Sequence, residues 1–268
     1  MSIRLDVASR TDAGLVRKVN EDAIGIDAGA GVMVIADGMA KLQGAEVASR
    51  VAARTILQKL SHAAGARPLD EVRAAFDAAS QAIGERVARE PSYEGMGATA
   101  VAAWFSGPKL AVGHVGDARL YRLRKGELKR MTVDHSFVQT QLAHGRVTEE
   151  ETRQSRSRHL VTRALGASGR TTPDVAEHPV EAGDLYLLCT DGLHELVEEA
   201  DLAAALAALE PNLELAVETL VSMANDRGGA DNVSVILVRI GEAAPEAAPV
   251  VEASLLARLR AFFGGKGH

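Results

Sequence analysis

Apolar positions along this chain follow two spacings. Between residues 45 and 89 they recur every three or four residues. Ala48, Val51, Ala52 and Ile56 share one face of a helix predicted from about Ala45 to His62. Leu69, Val72, Phe76, Ile83 and Val87 share one face of a second, from about Leu69 to Arg89. The same spacing predicts a later pair over Glu199–Leu209 and Leu213–Ala224, with Asn212 placed to cap the second of these. Elsewhere the apolar residues run without interruption, as in the stretch from Val32 to Ala36. Such runs recur over Ala98–Phe105, Leu110–Val115, Arg119–Leu123, Asp184–Thr190 and Val233–Arg239. They read as buried strands. The spacers Ser106-Gly-Pro and Gly116-Asp-Ala predict tight antiparallel connections.

Strands come in runs and helices in pairs, without strict alternation. That favours an α+β fold over a doubly wound parallel sheet. The expected architecture is a sandwich of two antiparallel β-sheets flanked by helix pairs on both faces. A domain over residues 1–240 contains the whole pattern. Residues 138–166 are polar and Arg-rich and read as an exposed, mobile excursion. Residues 241–268 begin with an Ala/Pro/Glu linker and end in a short amphipathic basic segment, Leu255 to Phe263. That segment reads as a docked or frayed tail, with a weak membrane or partner anchor as the lesser alternative.

Charge and cysteine content narrow the function classes. Thirty Lys+Arg against 36 Asp+Glu give a net charge of -6, which argues against nucleic-acid binding. A single cysteine, Cys189, excludes an intramolecular disulfide framework and points to a reducing compartment. No apolar window reaches the length of a membrane span, and the first residues lack the apolar core of a signal peptide. The expectation is a cytoplasmic monomer with no stable membrane insertion.

Four carboxylates stand at the ends of the apolar runs: Asp37, Asp117, Asp191 and Asp231. A carboxylate at the lip of a buried strand is costly unless it is paired or binds a cation. Four of them, far apart in sequence, suggest one acidic cluster assembled by folding and hence a multi-metal site. Asp37-Gly38 and Asp191-Gly192 also read singly as turns, a reading that leaves the other strand-end acids unexplained. Near the N-terminus, Arg17 stands beside Asn20, Glu21 and Asp22. A guanidinium there grips a phosphate with two hydrogen bonds, or else forms an ordinary surface ion pair.

In chain order these residues build a set of motifs. They are Arg17-x-x-Asn20-Glu21-Asp22, Ala36-Asp37-Gly38-Met39, Gly95-Met96-Gly97-Ala98-Thr99 and Gly113-His114-Val115-Gly116-Asp117-Ala118-Arg119. Thr132-x-Asp134-His135-Ser136, Leu165-Gly166, Thr190-Asp191-Gly192-Leu193 and Gly229-Ala-Asp231-Asn232 complete the set. The set resembles the metal-dependent protein phosphatases of the 2C type, most closely the short bacterial serine/threonine members, over residues 3–240. The resemblance implies hydrolysis of phosphoserine and phosphothreonine by a hydroxide bridging two manganese or magnesium ions. Asp37 would bridge the ions, with the Gly38 carbonyl, Asp191 and Asp231 completing the ligands and Glu21 acting through water. Asp22 would orient the attacking water, Asp117 would help hold a third ion, and Arg17 would clamp the phosphate. Phosphorylated proteins, a serine/threonine kinase and its substrates, are the implied partners. Hard cations and all-oxygen ligands agree with this set on chemical grounds.

One motif departs from the pattern. Where many relatives read Asp-Gly-Met-Gly-Gly-His, this chain reads Asp37-Gly38-Met39-Ala40-Lys41-Leu42. The histidine that would protonate a leaving group is replaced by Leu42. Ala40 in place of a positive-φ glycine predicts strain or another loop path. The departure motivates an alternative: a weakly active, phosphatase-like module that binds metal or phosphoprotein. His114 is expected to pack or hydrogen-bond in the core, Cys189 to be a buried small hydrophobe, and the 122–130 stretch to be a solvated hairpin. Gly95-Met-Gly97-Ala-Thr-Ala100 matches a relaxed dinucleotide fingerprint but lacks the helix that should follow it.

Overall fold

A computed structural model describes residues 3–148, 151–152, 155, 157, 159–166 and 171–241. The expected linker and basic tail beyond Gly241 lie outside the described residues. Ten strands build two five-stranded antiparallel sheets. The first has the order β1 (Arg4–Asp12), β10 (Val233–Gly241), β9 (Leu185–Cys189), β6 (Arg119–Arg124), β7 (Glu127–Arg130). The second has the order β2 (Asp22–Asp27), β3 (Val32–Met39), β4 (Gly97–Ser106), β5 (Lys109–Val115), β8 (Asp174–Pro179).

Three apolar layers hold the sandwich together. Met33, Ile35, Val101, Leu120, Leu188 and Ile236 fill the space between the sheets. On the outer face of the second sheet, Val34, Ala102 and Val115 pack against Ile56, Phe76 and Ile83 of helices α1 (Ala45–Ser61) and α2 (Pro68–Arg89). On the outer face of the first, Leu187, Val235 and Leu237 pack against Leu206, Val217 and Leu220. These belong to α5 (Glu199–Leu209) and α6 (Leu213–Asp226). Both faces of the central strands are therefore covered, which is why β3, β4 and β9 read as unbroken apolar runs rather than alternating ones. The expected helix-flanked sandwich is the observed one.

The predicted helices begin and end within a residue or two of the observed ones. Asn212 caps α6 by accepting the Leu215 N–H at 3.1 Å. The two predicted tight connections fared differently. Ser106 and Lys109 close a hairpin between β4 and β5. Gly116-Asp117-Ala118 joins no hairpin, because β5 lies in one sheet and β6 in the other. That link crosses the sandwich, and Asp117 sits on the crossing. The 122–130 stretch is a hairpin, β6 with β7, turned by Lys125 and Gly126, both at positive φ. The Gly95–Ala100 stretch enters strand β4, which disposes of the dinucleotide reading.

The 138–166 excursion opens with the short helix α3 (Phe137–Ala143), capped by Ser136. Its exit is pinned to the body. Leu165 is buried and bridges Ala98, and Val161 bridges Ser136.

Candidate metal-dependent active site

The acidic residues converge at one edge of the sandwich, and strand register accounts for most of it. In the β2–β3 pair, Asp22 lies directly opposite Asp37, and Asp37 is in turn opposite Thr99 of β4. Asp37-Gly38 is thus inside a strand, not a turn. Asp191 opens the short helix α4 (Asp191–His194). Asp231 stands two residues ahead of β10.

Both Asp-Gly pairs need their glycine for close approach. A Cβ on Gly38 would meet the Ala45 carbonyl oxygen at 2.0 Å, and one on Gly192 would meet the Asn232 carbonyl oxygen at 2.0 Å. The Gly38 N–H donates to the Glu21 carbonyl at 3.1 Å, so Glu21 is drawn against the strand carrying Asp37.

The electrostatics of the cluster are those of a site short of positive charge. Burial, followed by the charges of Asp191 and Asp22, pushes the Asp37 carboxyl well above its ordinary range. Asp191 is raised likewise, by burial and then by Asp117, Glu195 and Asp231. Burial raises Asp117 to about 7, with Asp134 as the next cause. Asp22 rises to about 6 by burial, against the lowering effect of two hydroxyl donors. Ser234 Oγ donates to Asp22 Oδ2 at 2.6 Å and Thr190 Oγ1 at 2.9 Å. The other oxygen, Oδ1, is buried without a hydrogen-bond partner. A buried, orphaned carboxylate oxygen among like charges is the environment a cation relieves. The donors are all oxygen, which fits hard divalent ions.

Arg17 contacts one member of the cluster. Its Nη2 donates to Asp231 Oδ2 at 2.8 Å, and that hydrogen bond raises the already high guanidinium pKa. The Arg17 side chain is half exposed.

The loop that carries Arg17 is held by Asn232, a motif residue with no role assigned from the pattern alone. Asn232 is buried. Its Oδ1 accepts the Glu21 N–H at 2.7 Å, and its Nδ2 donates to the carbonyls of Ala13 and Val19 at 3.0 Å each. Thr190 and Asn232 stand in the motifs quoted above without an assigned role, and Ser234 stands in none of them. Asn232 lay in plain view, adjacent to Asp231 in an otherwise apolar run.

The departing motif has a conformational outcome. Lys125 is the one non-glycine at positive φ among the described residues, so Ala40 and Lys41 carry no left-handed strain. The loop takes another path into α1. Lys41 lies along Gly95, and Leu42 is 88% exposed.

His114 meets its expected fate. Its Nε2 lies 2.9 Å from the Val133 carbonyl, and its ring stacks on His135. His135 Nδ1 accepts the Gly116 N–H at 3.1 Å, which fixes the turn just ahead of Asp117. Cys189 is fully buried, and burial pushes its thiol up to about 12. It is inert packing.

Fold and site together define a two-sheet sandwich with a carboxylate cluster at one edge, and comparison with known proteins identifies the family. The protein phosphatase 2C family model matches residues 15–225. The serine/threonine protein phosphatase PstP of Mycobacterium tuberculosis is 38% identical over 244 residues, which is 90% of this chain and 46% of that protein. The chain therefore spans about half the length of that relative. The serine/threonine phosphatase Stp of Listeria innocua is 30% identical over 236 residues, 85% of this chain and 93% of its own length. The catalytic domain of PstP in complex with two manganese ions superposes with a TM-score of 0.82 at 36% identity, covering 90% of this chain and all of that one. This chain belongs to the protein phosphatase 2C family.

Proposed function

We propose that this chain hydrolyses phosphoserine and phosphothreonine on proteins in a metal-dependent reaction. The observation that carries the reading is the pairing of Asp22 with Asp37 across β2 and β3, with Asp191 raising Asp37 further. Carboxylates held against one another in a buried site are the environment a cation relieves. Asp37, the Gly38 carbonyl, Asp191 and Asp231 would hold two manganese or magnesium ions, with Glu21 acting through water and Asp117 serving a third. When bound, such ions supply Lewis acidity and an activated water for in-line attack at phosphorus.

The chain's own residues divide the remaining work. Arg17 is half exposed beside Asp231, and its guanidinium would clamp phosphate oxygens. Asp22 is anchored through Oδ2 by Ser234 and Thr190, which leaves Oδ1 to accept a hydrogen bond from the attacking water. The leaving group has no histidine at position 42 to protonate it, and we assign that proton to solvent water.

Purified protein with manganese is expected to hydrolyse p-nitrophenyl phosphate, and Asp37→Asn or Asp191→Asn to abolish the reaction. No turnover by the intact protein across manganese and magnesium defeats the proposal. The exposed Leu42 favours one rival, a weakly active module that binds metal or phosphoprotein. Restoring Gly-Gly-His at positions 40–42 separates the two: a large gain in rate supports the rival, and no gain counts against it.

A serine/threonine kinase and its substrates are the proposed partners, by analogy with the family. The proposed setting is the cytoplasm and the proposed state a monomer. The free, buried Cys189 supports a reducing compartment. Among the described residues, no helix is long and apolar enough to cross a membrane.

A further inference from the structure

Asp117 joins the acidic edge from the link that crosses between the sheets. Residues 116–118 fall between β5 and β6, outside their ladders. The backbone groups of such a link need partners of another kind. Two histidines supply them.

His135 grips the amino end of the link. Its Nδ1 accepts the Gly116 N–H at 3.1 Å, and its own backbone N–H donates to the Gly116 carbonyl at 2.8 Å. His194 grips the other end, where its Nε2 lies 3.0 Å from the Asp117 carbonyl. A carbonyl only accepts, so the His194 proton sits on Nε2. One ring accepts from the link and the other donates to it.

His194 belongs to α4, the four-residue helix that Asp191 opens. Its hydrogen bond therefore ties the segment carrying Asp191 to the backbone of Asp117, 77 residues away from His194 in sequence. The two aspartates act on one another: after burial, the charge of Asp117 is the largest influence raising Asp191. Asp117 is only 5% exposed, so water screens that repulsion poorly. The like charges push the two segments apart, and the His194 bond holds them together.

We infer that His194 is a positioning residue, which holds the Asp117 carboxylate beside Asp191 in the geometry that a third, weaker cation needs. The inference rests on the phosphatase reading and on the assignment of Asp117 to that ion, and it adds the device that keeps the site assembled. A partner that orients a ligand without touching the metal typically sets metal affinity by about tenfold or more.

The test is calorimetric titration of manganese into the intact protein, His194→Phe and His194→Gln. Phenylalanine keeps a ring and removes the donor, whereas glutamine restores an N–H at about the reach of Nε2. The unaltered protein is expected to bind two equivalents tightly and one more weakly. In His194→Phe the weak equivalent is expected to lose about tenfold in affinity while the tight pair is unchanged, and in His194→Gln to recover most of that loss. Added to Asp117→Ala, His194→Phe is expected to change the isotherm no further. Absence of a weak equivalent in the unaltered protein overturns the inference. So does an unchanged weak equivalent in His194→Phe, an equal loss in both variants, or a uniform loss at every site. If His194→Phe does not fold, imidazole nitrogen NMR of the metal-free unaltered protein decides: a His194 proton on Nε2 is expected, and one on Nδ1 overturns the inference. Hydrolysis of p-nitrophenyl phosphate keeps the two levels apart. If it proceeds while the weak equivalent ignores His194, only the positioning role fails. If it does not proceed, the phosphatase reading fails and takes this inference with it.

Discussion

Strand β9 carries an aspartate just beyond each end, and the two have opposite surroundings. Asp184 precedes the strand, with its side chain 1% exposed. Burial alone would raise its pKa, but Arg124 holds it below the ordinary carboxylate range through Nε and Nη2, each at 2.6 Å. Tyr186 and the Glu181 N–H donate to the same carboxylate. Asp191 follows the strand's other end, where burial and then Asp117, Glu195 and Asp231 push it well above that range. One end is a neutralised structural clasp. The other holds like charges together, which folding alone gives no reason to do.

Substitution at the two ends should therefore separate activity from stability. Asp37→Asn or Asp191→Asn is expected to lower manganese-dependent turnover by about 10³-fold or more. The metal-free variant should melt no lower than the unaltered protein, because a repulsion is removed. Asp184→Asn is expected to do the reverse. Turnover per folded molecule is retained, while urea denaturation shows a loss of about 1–2 kcal/mol, since Arg124 loses one of its two carboxylate partners and keeps Glu181. Asn232→Ala stands between them. It strands the Glu21 N–H and two carbonyls, so unfolding should show a loss of about 2 kcal/mol. Arg17 also loses its anchored loop, and KM should rise more than kcat falls.

The clasp has a pH signature. The folded-state pKa values of Asp184 and Asp134 are lowered, so their stabilisation is present above the unfolded value of 3.8 and lost as pH falls through the folded values. Acid denaturation should therefore steepen below about pH 4, and Asp184→Asn should flatten that limb. The smallest effect belongs to Leu42→His. The side chain is 88% exposed, so thermal unfolding should shift by less than about 0.5 kcal/mol, whatever happens to the rate.

Much of this was legible in the sequence because burial writes itself into apolar spacing. Helices α1, α2, α5 and α6 each pack one apolar face, and β3, β4, β9 and β10 are covered on both sides. The strands that escaped notice lack that signature. β1 (RLDVASRTD) mixes Arg4, Asp6 and Arg10 with few apolar residues, and β8 (DVAEHP) is an edge strand with exposed positions. β2 is short and contains Gly25, so its role in setting Asp22 against Asp37 appeared only with the register. The strand-end acids were found because an isolated carboxylate after an apolar run is unusual. Thr190 and Asn232 entered only as motif letters without a role, and Ser234 not at all, because small polar residues near strand ends are common. The Gly116–Ala118 link was misread because a short spacer does not reveal whether the next strand joins the same sheet.

The central claim is that the acidic edge is a two-cation site. Calorimetric titration of manganese into metal-free protein, run beside Asp37→Asn, tests it most directly. The account predicts at least two equivalents bound by the unaltered protein and loss of this binding in the variant. Absence of binding, or the same isotherm for both proteins, would contradict it.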